Sequence, residues 1–264
     1  MKRKALKVDE VSDSCSANNG IPAIMDLTQS LSGLLLALFM WAHMFFVSSI
    51  LLGKDAMYTV TKTFEGYYLL GRSYPWIVSI AVAGVLLLFM LHAFLAMRKF
   101  PSSYRQYKVF LSHKAGLKHQ DTSLWFVQVY TGFALFFLGS AHLFFMLTNP
   151  AEIGPYASSD RIWTGNMWPV YLLLLLAVEL HGSIGLYRLA IKWGWLQGKD
   201  ANQGRRRLGV LKWGITVFFL VLGLLTLAAY VKIGIEHQDR AGERYHPQPS
   251  GHLSDPMKSP GRTT

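Results

Sequence analysis

Five long apolar runs separated by polar and charged segments organise the chain, at roughly residues 27–52, 76–98, 123–147, 168–191 and 209–233. A helix needs about 20 largely apolar residues to cross the hydrocarbon core of a bilayer. A helix also satisfies its own backbone groups there, where water cannot. The pattern therefore predicts an all-α, polytopic membrane protein with five transmembrane helices. Trp76, Trp125, Trp168, Trp193, Trp195, Trp213 and Tyr230 fall near the borders of these runs, as an interfacial aromatic belt requires. Pro75 and Pro169 suit helix starts, where a missing N–H costs least.

Composition agrees with this pattern: of 264 residues, 52% are hydrophobic and only 16% charged. The net charge of +11 adds orientation. Lys2, Arg3, Lys4 and Lys7 precede the first helix. Arg98, Lys99, Arg105, Lys108, Lys114 and Lys118 follow the second, and Arg188, Lys192, Lys199, Arg205, Arg206, Arg207 and Lys212 follow the fourth. The opposite loops hold only Lys54, Lys62 and Arg72, or Arg161 alone. The positive-inside rule then places the N-terminus in the cytoplasm and the C-terminus outside. No single basic folded domain exists to bind nucleic acid, so none is expected as a partner, whereas membrane lipid is.

The expected organisation is a flexible cytoplasmic segment over 1–21, a membrane domain over 22–236, and a disordered outer tail over 237–264. His237, His246 and His252 in that tail are read as solvated. No h-region or small-residue cleavage site precedes the first helix, which is expected to act as its own insertion signal. The lone Cys15 excludes an internal disulfide, a cysteine-ligated iron–sulfur cluster and a covalent C-x-x-C-H haem.

Polar residues inside the apolar runs are the exception that needs a cause. His43, His92, His142 and His181 each occupy a different one of the first four predicted helices. Ionisable side chains in the bilayer are expensive, and any one of these could serve as a packing hydrogen bond. Their depths argue otherwise. His43 lies 16 residues beyond Leu27 and His142 lies 18 beyond Leu124, which at about 1.5 Å per residue puts both roughly 24–27 Å from the inner boundary. His92 is 6 residues before Arg98 and His181 is 7 before Arg188, so both lie about 9–10 Å from that boundary. Independent packing histidines have no reason to share two matched depths, whereas two bis-histidine sites require it.

Facing neutral imidazoles between bundle helices, with no cysteine, suit a non-covalent six-coordinate haem. Zinc would want four ligands, and each level offers two. The expectation is a bundle of helices one to four holding two haem b groups, an outer one on His43 and His142 and an inner one on His92 and His181. Gly139 and Gly185, each one turn from a ligand, leave room beside it.

The stretches "FMWAHMFFVSSILL", "LHAFLAMRKFPSSYRQYK", "DTSLWFVQVYTGFALFFLGSAHLF" and "VELHGSIGLYRLAIKWGW" resemble the membrane anchor of dihaem fumarate reductases, the single-subunit cytochrome b of the succinate:quinone oxidoreductase superfamily. The resemblance spans about residues 22–236. It implies a bacterial inner-membrane subunit, with a periplasmic C-terminus, in an anaerobic respiratory complex. That complex contains an iron–sulfur subunit and an FAD-containing flavoprotein that reduces fumarate, and it can pair as a dimer of heterotrimers. This chain would carry the electrons and would oxidise menaquinol, with no fumarate site of its own. By the same resemblance Gln29, Ser30, Trp125 and Lys192 contact the propionates of the inner, proximal haem, and Arg161 those of the outer, distal one. Donors and a cation suit carboxylates at an inner boundary.

Quinol oxidation releases two protons with two electrons, so a proton acceptor must stand near the outer haem. Of the outer-loop acids Asp55, Glu65, Glu152 and Asp160, only Glu65, in "TKTFEGYYLL", has an apolar and aromatic setting; it also matches the family's quinol-site glutamate. Glu179 lies inside the fourth predicted helix, two residues from His181 and so about 200° around the helix from it. The resemblance implies that it carries protons inward alongside the electrons; a structural hydrogen bond is the plain alternative. The loop from Arg98 to Lys118, with Phe100, Tyr104, Tyr107 and Phe110 among its cations, is suited to docking a soluble subunit. Two other functions compete: the dihaem anchor of a hydrogenase or formate dehydrogenase, and an ion transporter using intramembrane His and Glu.

Overall fold

The computed structural model describes residues 20–99, 103–105, 108, 120–196, 198 and 200–247, and among these no strand occurs. Helix α1 (Ile21–Val47) continues into a 3-10 turn at Ser48–Leu52. Two short helices follow, α2 (Lys54–Phe64) and α3 (Tyr67–Leu70). Next come α4 (Trp76–Met97), α5 (Gln120–Thr148), the short α6 (Pro155–Ile162), α7 (Trp168–Lys192) and α8 (Ala201–His237). Helices α1, α4, α5, α7 and α8 are long and apolar enough to cross a membrane, making this a multi-pass membrane protein. The N-terminal segment up to residue 19, the tail from 248, and most of the loop expected to dock a soluble subunit, including Phe100, Tyr107 and Phe110, lie outside the described residues.

Consecutive antiparallel neighbours close a ring: α1 touches α4, α4 touches α5, α5 touches α7, and α7 touches α1. Helix α8 lies outside this ring, against α7 and α1. The expected bundle of the first four spanning helices is thus the one that forms. On α4 no residue is buried, and Leu87 is 72% exposed. Such a surface would be unfavourable in water but suits contact with acyl chains.

The elements expected from apolar runs extend past them. Helix α8 starts at 201 rather than 209 because Asp200 caps it, accepting from the backbone N–H groups of Asn202 and Gln203. At its other end it runs through His237, which corrects the expectation of a solvated, disordered tail from that residue. His237 is 1% exposed, its Nδ1 lies 2.9 Å from Asp160 Oδ1, and its ring stacks on Tyr156 at 3.9 Å. Residues beyond it stay attached: Gly242 N–H donates to Asp160 at 2.9 Å, and Tyr245 donates to Asp55 at 2.6 Å. Burial, with that bond to Asp55, pushes the Tyr245 phenol up to about 12, so it stays a donor. Gly234 on α8 admits α6, since a Cβ there would meet the Ser159 carbonyl at 2.8 Å. Ile50, Met57, Ile162 and Tyr230 form an apolar cluster that closes the same end of the bundle.

Candidate functional site

Helices α1 and α5 run one way through the ring and α4 and α7 the other, so histidines at matched depths meet across its diagonals. The rings of His43 and His142 have centroids 6.3 Å apart at an interplanar angle of 61°. Those of His92 and His181 are 6.4 Å apart at 89°. One cavity of about 1080 Å³ inside the ring is lined by all four.

Hydrogen bonds fix which nitrogen of the second pair is available. His181 Nδ1 lies 2.9 Å from the Gln128 carbonyl, which can only accept, so Nδ1 carries the proton and Nε2 keeps its lone pair. Ser32 Oγ donates to the Gln29 carbonyl at 3.1 Å and must therefore accept from His92 Nδ1, also at 3.1 Å. Both rings hold the tautomer that a metal-ligating histidine uses, oriented by partners of the usual kind. In the first pair, His142 Nδ1 is buried without a partner, and its ring packs edge-on against Tyr171 at 5.7 Å.

Two glycines that the sequence reading did not single out shape this space. A Cβ on Gly33 would meet His92 Cε1 at 2.8 Å, and one on Gly132 would meet His181 Cε1 at 2.8 Å. Gly33 and Gly132 each precede a histidine, His43 and His142, by 10 residues, or about 15 Å along the helix. Helices α1 and α5 therefore offer a gap at one level and a ligand-type side chain at the other. That repeated Gly-x9-His spacing was the available signal. Gly139 and Gly185 also line the cavity, facing Phe89 and Gln128.

The donor set fits haem. A metal–nitrogen bond of about 2 Å on each side, plus roughly 1 Å from nitrogen to ring centre, gives about 6 Å between facing imidazole centroids, close to both observed values. Among the described residues no group of three or more His, Cys, Asp or Glu could hold a metal ion, so the tetrahedral set zinc prefers is not present there. Polar groups suited to propionates stand at the cavity ends. At the His92 end Gln29, Ser30, Trp125 and Lys192 all line the cavity, Gln29 Oε1 is buried without a partner, and Lys192 Nζ donates to Ser30 Oγ at 3.0 Å. Asp26, which the sequence reading passed over, accepts from both Lys192 and Lys99. At the His43 end Arg161 donates to Tyr171 Oη at 3.0 Å, the Glu152 carbonyl at 3.0 Å and Ser158 Oγ at 3.3 Å. Arg161 is thereby held one side chain away from His142.

The two glutamates differ. Glu65, the C-cap of α2, is 2% exposed and accepts from Lys62 Nζ at 2.6 Å. Its neighbours Thr61 and Phe64 line the same cavity as His43, and Phe64 packs edge-on against Phe46. Glu179 is fully buried, both of its oxygens lack a hydrogen-bond partner, and it stands outside the cavity lining that includes His181. Of the remaining outer-loop acids, Asp55 and Asp160 are committed to Tyr245 and His237.

Residues 103–222 match the succinate dehydrogenase/fumarate reductase transmembrane subunit family. The chain is 59% identical over 221 residues to a fumarate reductase cytochrome b subunit of Helicobacter pylori strain J99, covering 84% of this chain and 85% of that protein. It is 54% identical over 219 residues to the fumarate reductase cytochrome b subunit of Wolinella succinogenes, covering 83% of this chain and 86% of the other. Identity at this level over more than four-fifths of the chain leaves one assignment: the chain belongs to the fumarate reductase cytochrome b subunits.

Proposed function

We propose that this chain is the quinol-oxidising, electron-transferring membrane subunit of a fumarate reductase and holds two non-covalent b-type haems, one on His43 and His142 and one on His92 and His181. The observation that carries this reading is the facing of two imidazole pairs, at 6.3 and 6.4 Å, along one cavity. When bound, the haems supply one-electron relay across the membrane. The chain's own residues do the rest. Gln128 and Ser32 hold the inner imidazoles in the ligating tautomer, and Gly33 and Gly132 keep space beside them. Gln29, Ser30, Trp125 and Lys192 receive the inner propionates, and Arg161 the outer ones.

Menaquinol is the substrate, oxidised beside the outer pair. Glu65 accepts protons from it there, with Lys62 orienting the carboxylate. Glu179 moves protons inward through the bundle. A buried, unpartnered acid in a membrane helix is costly and is a functional candidate on that ground. The inner pair lies at the cytoplasmic side of the inner membrane, with the N-terminus in the cytoplasm and the C-terminus in the periplasm; the excess of lysines and arginines at one set of helix ends supports this orientation. An iron–sulfur subunit docks at that cytoplasmic face and passes electrons to an FAD-containing flavoprotein that reduces fumarate. The complex pairs as a dimer of heterotrimers. The names of the relatives favour this complex over a hydrogenase or formate dehydrogenase anchor.

The test is purification of the membrane complex, followed by haem quantification and menaquinol-driven fumarate reduction. Two haems b per chain and quinol-driven turnover are expected. A preparation without haem, or with haem but no flavin-containing partner, would contradict the proposal.

A further inference from the structure

A lysine closes one of the helices that carry the inner histidines, another stands two residues past the end of the other, and both converge on one acid. Lys99 follows the last turn of α4, 7 residues after His92, and Lys192 is the last residue of α7, 11 after His181. Lys99 Nζ donates to Asp26 Oδ1 at 2.6 Å, and Lys192 Nζ donates to Asp26 Oδ2. Asp26 lies on α1, one turn before Ser30, whose hydroxyl donates back to the Asp26 carbonyl at 2.8 Å. Three helices of the ring are thus tied at one end through a single carboxylate. Both lysines line the cavity, whereas Asp26 stands behind them.

Resting on the haem assignment above, we infer that Asp26 is a positioning residue: it holds Lys99 and Lys192 at the mouth of the cavity and, by its charge, lowers the reduction potential of the haem on His92 and His181. Two lysines against one aspartate leave one positive charge for an incoming carboxylate, so the cluster attracts a propionate without over-neutralising it. A nearby negative charge favours the more positive, oxidised iron. Asp26 itself remains outside the ligand set.

The experiment is an optical redox titration of the assembled complex carrying Asp26→Asn, Asp26→Glu or Lys99→Gln, with the inner haem identified as the one missing from His92→Ala. Asp26→Asn should raise the inner potential by about 59 mV, a tenfold change in a one-electron equilibrium, and leave the outer potential in place. Lys99→Gln should shift the inner potential the opposite way, and Asp26→Glu should restore it. Should Asp26→Asn lose the inner haem while Asp26→Glu keeps it, the holding role stands. An unchanged potential in Asp26→Asn, equal shifts at both haems, or Asp26→Glu behaving like Asp26→Asn would overturn the inference. Retention of both haems in His92→Ala would instead overturn the haem assignment beneath it.

Discussion

Across a diagonal of the helix ring, the imidazoles of His92 and His181 face each other with centroids 6.4 Å apart, each Nδ1 engaged by a neighbour on a facing helix. His43 and His142 face each other likewise, with centroids 6.3 Å apart, about 15 Å further along the bundle as the rise between Gly33 and His43 measures, but there His142 Nδ1 has no partner. Everything proposed for electron transfer depends on these two relationships.

Glycine size at the inner level should be decisive. In a helix interior Gly→Ala ordinarily stabilises by about 0.5–1 kcal/mol. That gain is expected at Gly139, where a Cβ would sit 3.5 Å from Phe89, an ordinary contact. At Gly33 the Cβ would press on His92 Cε1 at 2.8 Å, and the ring must move. Gly33→Ala should perturb or release the inner haem alone, while Gly139→Ala keeps both, as difference spectra would record. Equal spectra for the two variants would mean that the glycine gap has no role.

Glu65→Gln keeps the shape of the side chain and removes the proton acceptor. Menaquinol oxidation should drop at least a hundredfold, the lower range for a lost general base, while both haems stay bound. Fumarate reduction by an artificial donor to the soluble subunits should survive. Quinol-driven turnover close to wild type would remove Glu65 from the reaction.

Glu179→Gln should also spare the artificial-donor reaction, but slow quinol-driven turnover against an inside-negative potential. Electrons moving inward without protons work against about 2.3 kcal/mol per charge per 100 mV. Proteoliposomes with and without an imposed potential make the comparison. A mutant as active and as insensitive to potential as wild type would leave Glu179 a structural acid.

The histidine levels were legible in the sequence because a spanning helix rises steadily, so distance from a charged border converts directly to depth. Which helices oppose one another across the ring was not legible, and Gly33 and Gly132 went unnoticed for that reason despite their shared spacing to His43 and His142. Asp26, near the start of an apolar run, looks like an ordinary interfacial polar residue. Its role needs Lys99 and Lys192, which lie 73 and 166 positions away. Helices α2 and α6 leave no such mark in the sequence, because their 11 and 8 residues mix polar and apolar positions and form no long apolar run. His237 was misjudged by the composition of the residues after it. Its own helix continues to it, and burial against Tyr156 and Asp160 is a tertiary effect.

The proposed electron path requires that two histidine pairs, matched by depth, each hold one haem. Reduced-minus-oxidised spectra of complexes carrying His43→Ala, His142→Ala, His92→Ala or His181→Ala, with haem counted per chain, test it directly. One haem should remain in each variant, the same one in His43→Ala and His142→Ala, and the other in His92→Ala and His181→Ala. If His43→Ala and His92→Ala were found to lack the same haem, the pairing, and the electron path built on it, would be contradicted.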